Sequence, residues 1–233
     1  GRFIVTSSLD NTAIIWDATT GKLLTRLEGH ELEINTAAYS PDGKFIVTSS
    51  NDNTPGIWST GTPSEKADDG KLVTLLKGHN DNVNSAVFSP DGKYIVTTSW
   101  ENTAMTWDAV TGKPLKELAG HTLDVRSAVY SPDGKNIVTI GEDRTAIIWD
   151  AKTGEQRYKF LTTDSLDYLA LIPRGYYMCS QNAARLLYYV KGLQVITFDQ
   201  LDIKYNRPDK VLEAIGNTDT ALIKSYQKAY EKR

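Results

Sequence analysis

Residues 78–107 read GHNDNVNSAVFSPDGKYIVTTSWENTAMTW, and most of this segment recurs elsewhere in the chain. Gly-His returns at residues 29 and 120, Ser-Pro-Asp-Gly-Lys at residues 40 and 131, and Ile-Val-Thr at residues 4, 46 and 137. A tryptophan closes each unit, and successive closing tryptophans are 42, 49 and 42 residues apart. Several separate motifs therefore keep one register, which identifies an internal repeat.

Each unit predicts four short strands separated by turns. In the quoted unit, Val83–Phe88 is an apolar run before a Pro-Gly turn, and Tyr94–Thr98 is rich in β-branched residues. Thr103–Trp107 and Leu115–Leu118 follow as the third and fourth strands. Short strands at this spacing are typical of a sandwich, a barrel or a propeller, and the fixed period favours the propeller.

The order of these motifs, Gly-His, then Ser-Pro-Asp-Gly, then an acid six residues before Trp, resembles the WD-repeat family. The resemblance covers residues 1–160 and implies an all-β WD-repeat β-propeller, with about five blades present as part of a larger ring. It also implies a hydrogen-bonded structural network of His, acid, hydroxyl and Trp within each blade. The matching residues are His30, His79 and His121; Asp10, Asp52, Glu101 and Asp143; Thr6, Thr48, Thr97 and Thr139; and Trp16, Trp58, Trp107 and Trp149.

The histidines argue against catalysis in this chain. All three occupy the same repeat position, whereas a catalytic site occurs once. The only cysteine, Cys179, lies in a predicted strand as a small apolar residue, and no imidazole is left over to activate it. We therefore predict that the chain is not an enzyme and holds no cofactor and no metal.

Composition narrows the class of partner. The 233 residues carry a net charge of −3, which is too near neutral for a nucleic-acid interface. No apolar stretch of about 20 residues is present, so no membrane span is predicted. One cysteine excludes an intrachain disulfide and leaves the compartment open, with the cytoplasm favoured. Protein or peptide partners remain as the expected class.

The repeat weakens towards the C-terminus. Residues 161–198 predict a degenerate fifth blade, in which IPRGY at residues 172–176 replaces the Ser-Pro-Asp-Gly-Lys turn and the Gly-His and Trp are absent. Residues 199–233 predict a helical connector to a further domain, with one helix from Pro208 and a second capped by Thr218 or Asp219. On the second helix one apolar face is expected to pack against the propeller or that domain, and it consists of Leu222, Ile223, Tyr226 and Tyr230.

The second repeat, which ends at Trp58, departs from the other repeats in two places. Twelve residues rather than five separate Trp58 from the next turn glycine, Gly70. This predicts an enlarged loop over residues 60–69, which is either a tolerated surface insertion or a binding loop. Pro55 cannot donate a ladder hydrogen bond, so the third strand of this unit is expected to bulge or to lose a bond.

Two features point beyond the chain. Gly1–Thr6 matches Gly43–Thr48, so the sequence begins within a repeat, and we expect preceding blades or a partner that closes the ring. GYYM at 175–178, Lys-Gly at 191–192 and YNRPDKVL at 205–212 resemble the connector of bacterial WD-repeat proteins that carry a caspase-like peptidase domain. The main functional prediction is a non-catalytic scaffold for protein–protein interaction. The alternative is the regulatory or targeting region of a caspase-like cysteine peptidase whose catalytic domain lies outside this chain.

One tryptophan falls outside the repeat and marks the candidate binding site. Trp100 precedes Glu101 at a turn where the other units have Leu9, Asn51 and Glu142. In the family, this turn opens on the face that carries the Gly-His loops, the usual partner-binding face. An exposed aromatic ringed by amides and an arginine has the composition of an interface hot spot, although the ring could instead fill space against a neighbouring blade. The other candidate residues on this face are Asn35, Asn84 and Arg126, with Glu33, Asn82 and Asp124 two places earlier.

Overall fold

The structure, a computed structural model, describes residues 2–60, 70–162, 167–180, 183, 188–191, 194–197 and 205–232. The chain divides into two compact units. The first consists of Gly1–Asp143 with Asp150–Gly154, and the second consists of Arg144–Trp149 with Glu155–Arg233. The predicted enlarged loop, apart from Thr60, lies outside the described residues.

The first unit contains antiparallel sheets whose strands follow one another in chain order. The first sheet has three strands: β1 (Phe3–Ser7), β2 (Thr12–Asp17) and β3 (Leu23–Glu28). The second has four: β4 (Ile34–Tyr39), β5 (Phe45–Ser50), β6 (Gly56–Ser59) and β7 (Leu72–Leu75). The third has four: β8 (Val83–Phe88), β9 (Tyr94–Ser99), β10 (Thr103–Asp108) and β11 (Pro114–Ala119). β12 (Val125–Tyr130) pairs with β13 (Asn136–Gly141).

The core of this unit lies between consecutive blades. Successive side chains of a strand point to opposite faces of its sheet. Ile46 of β5 accordingly packs with Ala13 and Leu27 of the first sheet, while Val47 packs with Ala86 of the third. Because both faces of β5 are covered, its residues are apolar or small rather than alternating with charges, as expected for a strand buried on both sides.

The Ser-Pro-Asp-Gly-Lys turn recurs with the same hydrogen bonds. In the third sheet, the Ser89 hydroxyl donates to Asp91 Oδ1 at 2.6 Å, and Asp91 Oδ1 also accepts from the backbone N–H of Lys93 at 3.1 Å. Gly92 has φ +71°, a left-handed conformation that glycine adopts without strain. The carboxylate of this turn is therefore a structural acceptor.

Pro55 was expected to cause a bulge or the loss of a ladder bond, and the structure shows a strand that begins after it. β6 begins at Gly56, two positions later in the repeat than β10 begins in the next sheet. Without an N–H, Pro55 cannot donate to the ladder, but its carbonyl still accepts from the Leu76 N–H at 2.8 Å. The sheet therefore keeps its fourth strand despite the shorter third.

The second unit contains the remaining strands and two helices. β14 (Thr145–Asp150), β15 (Gln156–Thr162), β16 (Tyr168–Leu171) and β17 (Tyr177–Cys179) pair antiparallel in that order, and β18 (Tyr188–Lys191) pairs with β19 (Gln194–Thr197). The helices are α1 (Pro208–Ala214) and α2 (Thr220–Glu231). The predicted all-β class, with repeated antiparallel sheets of short strands and a short C-terminal helical segment, is confirmed.

The strand pairing of residues 161–198 differs from the predicted separate blade. Strand β16 pairs along β15, with Phe160 opposite Ala170, and therefore extends the preceding sheet instead of beginning a new one. β18 and β19 form a two-stranded sheet of their own. The sequence here lacks the Gly-His motif that precedes an inner strand in the other repeats.

Both helices begin where the sequence predicts: Pro208 is the first residue of α1, and Asp219 precedes α2. The Asp219 side chain accepts a hydrogen bond from the Leu222 N–H at 2.9 Å and caps α2. Only part of the predicted apolar face is buried: Ile223 is 9% exposed, whereas Leu222 and Tyr226 are 38% and 39% exposed. The fourth predicted face residue, Tyr230, packs its ring against the guanidinium of Arg207. Within the described residues, no helix has the length and apolar character needed to cross a membrane.

Candidate functional site

In the second sheet, the repeated polar residues form one chain of hydrogen bonds. Trp58 Nε1 donates to Thr48 Oγ1 at 2.8 Å, and Thr48 Oγ1 lies 2.7 Å from His30 Nε2. His30 Nδ1 lies 2.7 Å from a carboxylate oxygen of Asp52. The Trp58 side chain is fully buried and its ring is tilted against the His30 imidazole. The four residues tie the loop before β4 to β5 and β6.

The ionisation of Asp52 determines which atom of the His30–Asp52 pair donates the hydrogen bond. Burial would raise the pKa of Asp52, but hydrogen bonds from His30, Thr54 and the Glu31 N–H outweigh burial and hold this pKa below its ordinary range. An ionised carboxylate only accepts, so His30 Nδ1 carries the proton that it donates to Asp52. His30 Nε2 and the indole N–H of Trp58 both contact the Thr48 hydroxyl, so each buried polar group of this network has a hydrogen-bond partner.

The third sheet repeats the arrangement with a longer acid. His79 Nδ1 lies 2.5 Å from Glu101 Oε1, and Thr97 Oγ1 accepts from Trp107 Nε1 at 2.8 Å while lying 2.6 Å from His79 Nε2. The second carboxylate oxygen of Glu101, Oε2, accepts from the Asn80 N–H at 3.0 Å, as Oδ2 of Asp143 accepts from the Thr122 N–H at 3.1 Å. The substitution of Glu for Asp therefore leaves the network intact.

The remaining repeats show parts of the same network. His121 lies 3.0 Å from Asp143 Oδ1 and 2.8 Å from Thr139 Oγ1. In the first sheet, Trp16 Nε1 donates to Thr6 Oγ1 at 2.9 Å. Trp149, in the second unit, is buried. The acid of the first repeat, Asp10, instead accepts from the N–H and hydroxyl of Thr12 and lies 3.8 Å from Arg26.

Gly141 occupies the position at which the second and third repeats have Ser50 and Ser99. A Cβ on Gly141 would lie 2.5 Å from His121 Nδ1 and 2.9 Å from Asp143 Oδ1. We therefore predict that Gly141→Ser lowers the free energy of unfolding by about 1–3 kcal/mol, because the new side chain forces the His–Asp pair apart. Urea denaturation of the variant and the wild type measures the change. Serine at the equivalent position of the second and third repeats would by itself suggest no loss of stability. A variant as stable as the wild type contradicts our expectation.

The histidine network makes stability depend on pH in a definite direction. Burial lowers the pKa of His79, and Glu101 opposes only part of this effect. Below the ordinary histidine pKa of about 6.5, the unfolded chain binds a proton that the folded chain does not, so acidification destabilises the fold. The pKa values of Asp52 and Glu101 are lowered as well, and their contribution is lost only at more acidic pH, below about 4.

We therefore expect urea midpoints to fall between pH of about 7.5 and about 5.5, and to fall less steeply in His79→Gln. The variant lacks the His79 imidazole, which binds a proton in the unfolded chain but not in the folded chain over this pH range. Equal slopes in the two proteins would show that His79 does not contribute to the acid sensitivity.

The candidate binding residues lie together at one end of the first unit. This Gly-His end consists of the loops at residues 30–33, 79–82 and 121–124, the first two residues of β4, β8 and β12, and the turn residues Asn51, Trp100 and Glu142. The antiparallel register brings these segments together, since Val83 at the start of β8 lies opposite Ser99 at the end of β9. The backbone N–H groups of the three turn residues donate to the carbonyls of Glu33, Asn82 and Asp124 at 2.9–3.0 Å.

Each turn residue also contacts the second residue of the inner strand, sixteen positions earlier. Asn35 Nδ2 donates to Asn51 Oδ1 at 2.7 Å, and Trp100 Nε1 donates to Asn84 Oδ1 at 2.6 Å. Arg126 Nε donates to Glu142 Oε1 at 2.9 Å. Asn35, Asn84 and Arg126 were predicted from the sequence to share one face, but their partners were not, although the recurring separation of sixteen residues could have indicated them.

Two of the predicted binding residues connect adjacent blades. Asn35 Nδ2 donates to the Val83 carbonyl at 2.8 Å, and Asn84 Nδ2 donates to the Val125 carbonyl at 2.8 Å. Both amides are thus engaged within the protein, and we assign Asn35 and Asn84 to the junctions between blades. The predicted role of these two side chains as direct partner contacts has no support from this geometry.

Trp100 is both anchored and accessible. Its indole N–H is bonded to Asn84, and the guanidinium carbon of Arg126 lies 5.8 Å from the ring centroid. The side chain nevertheless is 41% exposed. The sequence suggested either an exposed binding residue or a ring that packs against a neighbouring blade. Trp100 combines the two, since one part of the ring packs and the other faces solvent.

The loops of the Gly-His end add two exposed leucines and the carboxylates of Glu31 and Asp81 to the acidic residues Glu33 and Asp124 predicted from the sequence. Leu32 and Leu123 occupy equivalent loop positions, two residues after the histidine, and are 46% and 50% exposed. Loop residues 31–33, 80–82 and 122–124 contain four carboxylates and no lysine or arginine. Exposed apolar side chains with a rim of charge are typical of interaction surfaces.

Across the described ranges, no group of three or more His, Cys, Asp or Glu side chains has the arrangement of a metal site. Cys179 is half-buried in β17. Comparison with protein-family models finds a match to "WD domain, G-beta repeat" over residues 1–17, 21–59, 70–108 and 112–150, which is more than half of the chain. A search of curated proteins finds no match.

Proposed function

Since the chain belongs to the WD domain, G-beta repeat family, whose members generally act as non-enzymatic protein-interaction scaffolds, we propose that it is a peptide-binding scaffold. The proposed binding surface is the Gly-His end of the first unit. The observation that carries the proposal is Trp100, an aromatic side chain that is held in place and still 41% exposed.

An anchored aromatic residue suits binding because its ring loses little conformational freedom when a partner covers it. The hydrogen bond to Asn84 and the packed guanidinium of Arg126 fix the Trp100 ring before any partner arrives. Tryptophan and arginine are the residue types most often found at interface hot spots.

Charge at the same end favours one class of partner. Glu31 and Asp81 are exposed in the loops, and Glu33 and Asp124 are half-buried beside the inner strands. Arg126, the cation beside Trp100, already forms an ion pair with Glu142. The proposed partner is therefore a peptide segment that places a lysine or arginine next to an apolar or aromatic residue.

Selection from a displayed library of random peptides tests this proposal. The chain is expected to enrich peptides that carry lysine or arginine beside an apolar residue. Trp100→Ala is then expected to weaken binding of a selected peptide by roughly tenfold or more. Enrichment of acidic peptides, or no enrichment, contradicts the proposed partner class.

Tyr94→Ala provides a matched control. Tyr94 begins β9 and is 42% exposed, while Trp100 directly follows the opposite end of the same strand. The two variants remove aromatic rings of similar exposure from opposite ends of one sheet, and only Trp100→Ala should weaken binding. If Trp100→Ala binds as the wild type does and only unfolds more readily, the ring serves packing and the site is withdrawn.

The alternative function raised by the sequence stays a prediction. A regulatory or targeting region of a caspase-like cysteine peptidase rests on the resemblance of residues 175–212 to a connector, and the family match ends at residue 150. A peptidase assay of the full-length protein, with and without this chain, tests that prediction. Peptide binding by the Gly-His end is expected in either case.

A further inference from the structure

The second unit contains a pocket of about 500 Å³ between its sheet and α1. This volume lies within the range of small-molecule sites, roughly 300–1,000 Å³. Arg157 of β15, the turn between β16 and β17, and Lys210 and Glu213 of α1 line the pocket. The apolar part of its lining includes Ile172 and Tyr176.

The turn that lines the pocket is a changed copy of the repeated one. Where the first three turns have Ser, Asp and Lys around Pro and Gly, this turn has Ile172, Arg174 and Tyr176. Its backbone keeps the same shape, because the Gly175 N–H donates to the Ile172 carbonyl at 2.9 Å and Gly175 has φ +81°. The internal Ser–Asp hydrogen bond has therefore been replaced by a cation and an apolar side chain that face a cavity.

The lining carries an excess of positive charge, with three cations and one carboxylate. Glu213 is already engaged through both oxygens: Lys210 Nζ lies 3.0 Å from Oε2, and Gln227 Nε2 donates to Oε1 at 3.1 Å. The carboxylate thus offsets Lys210, and the exposed Arg174 of the turn is the cation on which the proposal below depends.

The wall of the pocket is held in place from behind. Arg207 forms a bidentate pair with the fully buried Asp209, at 2.9 and 2.6 Å. Its guanidinium carbon lies 3.9 Å from the Tyr230 ring centroid of α2 and 5.8 Å from that of Tyr176. The Arg207 N–H also donates to the Tyr177 carbonyl at 3.0 Å, which joins α1 to the sheet. A pocket with fixed walls requires little reorganisation when a ligand binds.

We propose that this pocket binds a small organic anion, with a phosphate or carboxylate at Arg174 and an apolar body against Ile172 and Tyr176. Guanidinium groups recognise both anions through paired N–H donors. The site is separate from the proposed peptide surface, because all of its residues belong to the second unit.

Isothermal titration of the whole chain with four probes tests the proposal. Phenyl phosphate and benzoate combine an anion with an apolar ring, inorganic phosphate has only the charge, and benzyl alcohol has only the ring. Phenyl phosphate or benzoate is expected to bind at least about tenfold more tightly than either single-feature probe. Whichever of the two binds more tightly identifies phosphate or carboxylate as the preferred anion.

Arg174→Gln is expected to weaken binding of the better probe by about tenfold and to reduce its dependence on salt. Arg174 is exposed at a turn, so the variant should fold. Lys224→Gln, which removes an exposed cation of α2 outside the pocket, is the matched control and should bind as the wild type does. Equal binding of all four probes, no binding at millimolar concentration, or undiminished binding by Arg174→Gln overturns the proposal.

Discussion

Replacing Trp107 with alanine is expected to lower the free energy of unfolding by about 3–5 kcal/mol. The side chain is fully buried in the core between the second and third sheets. Its ring fills the space in front of Gly78, where an added Cβ would lie 2.9 Å from the ring. Removing the indole leaves a cavity and also takes the N–H donor away from Thr97.

Urea denaturation of purified protein measures this loss, and Trp100→Ala is the control. The second substitution removes the same side chain from the end of the neighbouring strand, where it is 41% exposed and makes one hydrogen bond. It should cost about 1 kcal/mol. If the two variants unfold at the same urea concentration, Trp107 does not have the structural role assigned to it.

The second large effect is expected from Thr48→Val, which keeps the shape of the side chain and removes its hydroxyl. Trp58 Nε1 and His30 Nε2 both lose their partner, and both are buried. Leaving two buried polar groups unsatisfied should lower the free energy of unfolding by about 2–4 kcal/mol.

The first repeat offers a matched control for this substitution. Thr6 holds the same position, but it is exposed and receives only the Trp16 N–H. Thr6→Val should therefore change stability by less than about 1 kcal/mol. Thr48→Ser, which restores the hydroxyl, should recover most of the loss. A Thr48→Val protein as stable as the Thr6→Val protein would mean that the hydrogen-bond chain contributes little.

The repeat made most of the first unit predictable. Position within the unit was enough to select His30, Thr48, Asp52 and Trp58 as one group, because residues that recur in register occupy equivalent places in each sheet. The residues that connect adjacent blades were harder to predict. Asn35 donates to a backbone carbonyl of the next blade, and a carbonyl acceptor leaves no mark on the sequence.

The second unit was less predictable because its local signals had changed. The turn at Gly175 was recognisable from Pro and Gly, but nothing in the sequence specified which edge β16 would join. The exposure of Leu222 and Tyr226 on α2 was likewise hidden, since an amphipathic pattern shows which residues share a face and not whether that face is covered. The exchange of Asp for Arg174 in the turn was visible in the sequence, but its significance depended on the pocket.

The bonds from Asn35 to Val83 and from Asn84 to Val125 bear on how such a chain can change over evolutionary time. Strand β8 has both the acceptor for its predecessor, at Val83, and the donor for its successor, at Asn84. A duplicated segment of one repeat length that contains β8 would therefore arrive with both halves of the junctions that it needs. Duplication of this whole repeat keeps these junctions matched, whereas duplication of part of it separates a donor from its acceptor. The repeat unit is thus also the unit in which the gene can grow or shrink.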